Sequence, residues 1–180
     1  MPPDLRGAMR TFATGVCVAS TYRDAAQGRR HDAVTVNSLG SLSLEPPLIS
    51  LCFRRESVFL GDLLATRKWV VSILPADGGA IARRLATGHA HRAEHVASLA
   101  ATPGPRTGAL VLDSATWLEC DLRDHFDLGD HTLVVGEVLA TGHNRPRSTL
   151  VFVHGRYHAL DDPQPATVDL RGPGHWGDAL

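Results

Sequence analysis

A chain of 180 residues is long enough for one domain with a substantial core. Its 43% hydrophobic and 21% charged residues are ordinary for a globular protein. A net charge of −1 gives no electrostatic basis for binding nucleic acid or an anionic membrane, and no run approaches the ~20 apolar residues of a membrane span. The Met-Pro-Pro-Asp start lacks the basic-then-apolar order of a secretory signal. Cys17, Cys52 and Cys120 are scattered, form no CxxC pair and sit among apolar residues, so reduced thiols in a cytoplasmic protein are expected.

In chain order, Leu5, Met9 and Phe12 share one face of a helix expected over Asp4 to Thr14, with Gly15 as its stop. Val16 to Tyr22 and His31 to Ser38 read as strands of a hairpin, joined by a polar connection, Arg23 to Arg30. Leu39 to Leu44 leads into Glu45-Pro46-Pro47, which cannot lie inside a central strand. Leu48 to Phe53 is a buried strand. Ser57 then caps a short helix carrying Val58, Leu60, Leu63 and Leu64, and Trp69 to Leu74 is another strand.

Asp77 is a candidate cap for a helix bearing Ile81 and Leu85, with Gly88 as its end. Residues 89–108 have weak periodicity and read as a helical or irregular excursion. Strands follow at Thr116 to Arg123, His131 to Ala140 and Thr149 to Leu160. Asp162 to Leu180, dense in Pro and Gly, forms a tail, leaving 1–161 as the domain. Helices do not alternate with strands, which argues against a doubly wound sheet. Strands apolar on both faces suggest a mainly β protein, a closed or nearly closed barrel with short helices packed outside.

Several short patterns fail on context. Gly172-Pro173-Gly174-His175-Trp176-Gly177 has the letters of a dinucleotide loop but no strand before it or helix after it. His91-Arg92-Ala93-Glu94-His95 matches a zinc-peptidase pattern, yet ten histidines make that match easy by chance, and a solvated surface segment explains it. No GxSxG elbow is present.

Three stretches carry more. Thr35-Val36-Asn37-Ser38, continuing through the Ser-rich bend to Leu48, is either a plain strand and turn or a set of small polar groups beside exposed backbone. The second reading suits the edge of a flavin ring. Arg54-Arg55-Glu56-Ser57 precedes a helix start, where free N–H groups and two arginines form an anion site unless this is an ordinary capped surface helix. Gly129-Asp130-His131 opens a strand, either as a turn with an exposed histidine or as a cofactor contact.

The order of these pieces resembles the flavin reductase family with the FMN-binding split-barrel fold. The resemblance runs from Met9-Arg10-Thr11-Phe12-Ala13-Thr14-Gly15-Val16 through Thr35 to Leu48, Trp69 to Leu74, Leu118-Glu119-Cys120, Gly129-Asp130-His131, Gly136-Glu137-Val138 and Gly155-Arg156-Tyr157. It implies a Greek-key split β-barrel and NAD(P)H-dependent reduction of FMN or FAD for a partner monooxygenase. Thr35, Val36, Asn37 and Ser38 would line the flavin ring and ribityl chain. Ser50, Leu51, Cys52 and Phe53 would continue toward a phosphate at Ser57, helped by Arg54. His131 would sit where the nicotinamide of NADH or NADPH docks, with Tyr157 nearby. A homodimer with flavin near its interface is implied. Departures fall at Gly78-Gly79, at Leu85 and over 89–108, on the nicotinamide side. The alternatives are a flavin enzyme of the same fold acting directly on an organic substrate, and a non-catalytic flavin-binding dimeric partner.

Overall fold

The computed structural model describes residues 3–113, 116–143 and 148–160; the sequence-predicted tail and its boundary at 161/162 lie outside them. The elements are α1 (Leu5–Met9), β1 (Thr14–Gly15), β2 (Cys17–Ala25), β3 (Gly28–Val36), β4 (Gly40–Leu44), β5 (Pro47–Arg54), α2 (Val58–Thr66), β6 (Lys68–Ile73), α3 (Gly79–Leu85), α4 (His89–Ala97), β7 (Ala101–Pro103), β8 (Leu110–Leu112), β9 (Thr116–Leu128), β10 (His131–His143), β11 (Leu150–Val153) and β12 (Arg156–Ala159). The mainly β class with short helices is observed. No helix among the described residues is long and apolar enough to cross a membrane.

Seven strands form one antiparallel sheet in the order β3-β2-β6-β9-β10-β5-β4. Its two edge strands, β3 and β4, are consecutive in sequence and joined by Asn37-Ser38-Leu39 alone. Val36 and Gly40 can therefore be no more than about 14 Å apart, four residue steps of extended chain. A flat sheet of seven strands would separate its edges by about 28 Å at ~4.7 Å per strand. The sheet must roll until its edges meet, and it stays unpaired between them.

Rolling explains why the strands are apolar on both faces. Cys17 and Ala19 of β2 face an inner cluster with Leu51, Trp69, Cys120, Leu122 and Val134. Val16 and Val18 face an outer cluster with Ala33, Leu85, Val96 and Leu112. The outer face is covered by α3, α4 and β8. The sequence reading placed every helix outside, but Phe59, Leu60 and Leu63 of α2 belong to the inner cluster. These three large side chains pack this helix against the inner face of the roll.

A close approach fixes one glycine. Gly136 on β10 sits at a register shift opposite the fully buried Trp69, and an added Cβ would lie within 2.4 Å of the indole ring.

Other local departures have plain causes. The first helix ends at Met9 rather than Thr14, because Thr14 and Gly15 are drawn into pairing with Phe152 and Val151. Leu5, Met9 and Phe12 are left 51–67% exposed. The polar stretch 23–30 is a continuation of the β2–β3 ladder, stabilised by Arg29 against Asp24 at 2.8 Å and over the Tyr22 ring. Gly40 to Leu44 pairs with β5 as an edge strand.

Asp77 does not cap α3; the cap position is Gly78, without a side-chain bond. Gly88 ends nothing and instead precedes α4. Residues 89–108 hold α4 and β7, and α4 buries Arg92 and Val96, four positions apart, leaving His91 and Glu94 in solvent. The strand expected over 149–160 is the β11–β12 hairpin, turned at His154 and Gly155, both with positive φ.

Candidate functional site

Nine of the twelve sequence-predicted site residues meet where the sheet stays open. A cavity of about 600 Å³ is lined by Val34 to Ser38, by Cys52, Phe53 and Arg54, by Glu56 to Val58, by Ala86, Thr87, His89 and Arg92, and by His131.

On the β3 wall, the polar side chains already have partners within the chain. Thr35 Oγ1 donates to the Ala82 carbonyl at 2.8 Å. Asn37 Nδ2 donates to Thr14 Oγ1 at 3.2 Å. Ser38 Oγ accepts from Cys52 N–H at 3.0 Å and donates to Cys52 C=O at 3.3 Å. It thus continues the β4–β5 ladder, whose last pair is Gly40 with Ser50. What β3 offers a ligand is backbone: among the described residues it pairs only with β2, so along Val34 to Val36 its other edge presents N–H and C=O groups with no strand partner.

The opposite wall is built by β5, α2 and β10. Strand alternation sorts β5: Ile49, Leu51 and Phe53 belong to the inner core, while Cys52 and Arg54 point the other way. Leu51 is fully buried and does not reach the cavity. Ser50 lies on the cavity-side parity but is buried at the end of the β4–β5 ladder, and it is not among the residues lining this cavity. Phe53 lines the cavity while packing on Phe59.

Arg54 makes no ion pair among the described residues, whereas Arg55 is tied to Asp127 at 3.2 Å. Ser57 is the N-cap of α2 and accepts from Leu60 N–H. Arg54 and His131 are direct partners across the β5–β10 ladder, so their side chains stand side by side. Gly129, at φ 62°, makes the turn that brings His131 to this position. His131 Nδ1 lies 2.8 Å from Asp130 Oδ1. Hydrogen bonding from His131, then its charge, holds the Asp130 carboxyl below the usual carboxylate range. A carboxylate only accepts, which puts the proton on Nδ1 and leaves Nε2 free.

The resemblance put Tyr157 near His131. The structure gives Tyr157 a separate small cavity of about 120 Å³, shared with Val16, Thr35, Val36, Asn37, Ala86 and Phe152. It stacks on Phe152, and burial raises its phenol pKa. Burial likewise pushes the Cys17 thiol up to about 12 and raises Cys52 and Cys120, so none is a ready thiolate at neutral pH.

Sequence reasoning missed a cluster on the cavity's third side. Asp32 on β3 is 5% exposed and Arg92 on α4 is 6% exposed. They form a two-point contact, Nε to Oδ1 at 3.3 Å and a terminal nitrogen to Oδ2 at 3.0 Å. Arg92 also donates to the Thr87 carbonyl at 2.9 Å, and His89 Nδ1 lies 3.1 Å from Asp32 Oδ2. The available signal was the spacing of Arg92 and Val96, which places the arginine on the apolar face of α4. Among the described residues no group of three or more His, Cys, Asp or Glu could hold a metal ion.

Residues 9–161 match the family model of the flavin reductase like domain. The chain is 30% identical over 156 residues to an NADH-dependent FAD reductase of Streptomyces globisporus, covering 85% of this chain and 82% of that one. It is 34% identical over 171 residues to an NADH:riboflavin 5′-phosphate oxidoreductase of Streptomyces pristinaespiralis, covering 94% and 92%. The solved flavin reductase component of a bacterial two-component tryptophan halogenase superposes with a TM-score of 0.80 at 34% identity, covering 88% of this chain and 98% of that one. The chain belongs to the flavin reductase like family.

Proposed function

We propose that this protein is an NADH-dependent flavin reductase that binds FMN or FAD in the 600 Å³ cavity and passes reduced flavin to a separate monooxygenase. The observation that carries this reading is the pairing of a free backbone edge on β3 with His131, the α2 start and an Arg54 that makes no ion pair among the described residues, on the other wall. Such a donor set suits a ring with alternating donors and acceptors that carries a phosphate. The relatives named above are NADH-dependent reductases of FAD or of riboflavin 5′-phosphate, and one serves a two-component enzyme.

Bound flavin supplies, at N5, the acceptor for a hydride from the nicotinamide. The protein's part is to hold and polarise. Unpaired N–H groups of β3 stabilise negative charge that develops on the ring edge. Arg54 and the first turn of α2, capped by Ser57, hold the phosphate. His131, its Nδ1 proton committed to Asp130, offers the Nε2 lone pair to a carboxamide N–H or a ribose hydroxyl and so positions the nicotinamide. Hydride transfer needs no proton from the chain, which accounts for a site without a carboxylate pair or a triad.

Residues 1–161 form the working domain, a rolled sheet of the FMN-binding split-barrel type, in the cytoplasm. Its assembly is a homodimer, supported by large apolar side chains that stay about half or more exposed in the single chain. Leu5, Met9 and Phe12 follow the N-terminus, Leu42 and Leu44 lie on edge strand β4, and Phe126 and Leu128 end β9. Sedimentation at micromolar concentration should give a dimer, and a monomer with flavin bound would remove this part of the reading.

Stopped-flow oxidation of NADH tests the function. Addition of free FMN or FAD should produce rapid loss of NADH absorbance with matching bleaching of the flavin. Absence of turnover with either flavin would overturn the assignment.

A further inference from the structure

Two histidines face this cavity, and both are anchored through Nδ1 to a carboxylate: His131 to Asp130, and His89 to Asp32. The anchors differ. Asp130 is exposed, whereas Asp32 is buried and further fixed by Arg92 and by its own bond to Ala33 N–H at 2.8 Å. His89 therefore stands on a rigid, charge-balanced base, with 34% of its side chain exposed on the cavity wall. A side chain held this firmly gives up little freedom when it meets a ligand.

We propose that His89 is a ligand-contacting residue that takes a phosphate of a dinucleotide's diphosphate; this rests on the flavin reductase reading of the cavity. The flavin ring is served by the β3 backbone, and a single terminal phosphate by Arg54 and the α2 start. His89 belongs to neither group: it comes from α4, beside β3. Because a carboxylate only accepts, the Nδ1 proton points at Asp32 and Nε2 faces the cavity. In its imidazolium form Nε2–H donates a charge-assisted hydrogen bond, the chemistry a diphosphate oxygen matches. The charged and titratable groups around it are Asp32 on β3, Arg92 on α4, Arg54 and Glu56 before α2, and His131 on β10. With Asp32 and Arg92 paired, Arg54 and His89 in that imidazolium form outweigh Glu56, which favours an anion.

Two dinucleotides carry a diphosphate, FAD and NADH, and the test separates them. FMN, FAD and riboflavin affinities are measured by flavin fluorescence for the wild-type protein and His89→Ala. NADH kinetics are measured with riboflavin as acceptor. If FAD is the source, its affinity falls about tenfold while FMN and riboflavin stay within twofold. If NADH is the source, its KM rises about tenfold with kcat and all flavin affinities unchanged. Retained FMN binding certifies the fold of the variant. A loss of FMN and riboflavin affinity equal to that of FAD overturns the proposal, because His89 would then act on the ring or the wall. No change in any quantity also overturns it. A wild-type protein that binds no flavin at all would instead sink the underlying flavin reading, and this inference with it.

Discussion

The two main walls of the cavity are made of similar residue types but use them in opposite ways. On the β3 side, Thr35 of the strand and Asn37 and Ser38 just after it spend their polar side chains on Ala82, Thr14 and Cys52, fastening α3, β1 and β5 around the opening. On the β5–β10 side, Arg54 is unpaired among the described residues, and His131 keeps Nε2 free. One wall offers backbone and the other side chains. A ring whose reactive edge must be held the same way in every turnover is better served by rigid backbone, whereas phosphate and nicotinamide recognition needs charge and reach.

The contrast predicts that substitutions on the side-chain wall change ligand affinity, and those on the backbone wall change stability. The largest effect is expected at the α2 start. Ser57→Asp keeps an N-cap acceptor but sets a carboxylate against the phosphate. FMN affinity should fall about a hundredfold, ~2.7 kcal/mol, while riboflavin binding holds within twofold. Equal loss of both ligands in a fluorescence titration would place the phosphate elsewhere. Next comes His131→Ala, which removes a positioning contact of about 1–3 kcal/mol. The kcat/KM for NADH should drop ten- to a hundredfold with flavin affinity unchanged. A collapse of flavin affinity with normal reduction of what remains bound would assign His131 to the flavin.

Much of this site was legible in the sequence because its elements are marked by local chemistry. Ser57 before an apolar helix, Gly129 before His131, and Pro-Pro after β4 each announce a cap, a turn or an edge without reference to the rest of the chain. The pleat of β5 was not legible, because a run of apolar letters hides it: the pairing with β10 and the core contacts show that 49, 51 and 53 face the core. Asp32, His89 and Arg92 were invisible for a different reason. Their contact spans 57 and 60 residues of chain, and a His-rich stretch of weak periodicity looks like solvent-facing surface until a buried carboxylate is known to lie beneath it.

Smaller effects are expected on the backbone wall. Ser38→Ala leaves Cys52 N–H without its acceptor at the point where the sheet's edges approach. Stability should fall by ~1 kcal/mol, about 2–4 °C in Tm for a chain of this size. Because the flavin meets the same stretch, a modest loss of affinity is expected to accompany it. A tenfold loss of affinity with an unchanged Tm would mean that the hydroxyl serves the ligand and not the ladder.

Thr35→Val gives the smallest effect and the sharpest test of the contrast. Valine keeps the shape and the β-branch of threonine, so β3 and its free edge are preserved. What disappears is one of two donors to the buried Ala82 carbonyl of α3. A hydrogen bond of this kind contributes ~0.5–1.5 kcal/mol, and the carbonyl keeps its bond from Ala86 N–H at 3.1 Å, which softens the loss. A fall in Tm of about 1–3 °C is therefore expected. Flavin affinity should stay within twofold, because the ligand reads the N–H and C=O groups of Thr35 rather than its hydroxyl. If Thr35→Val leaves Tm untouched but weakens FMN tenfold, the bond to Ala82 gives way to one with the flavin on binding. The β3 wall would then recognise its ligand through side chains after all, and the division between the two walls would fail at the residue where it is stated most plainly.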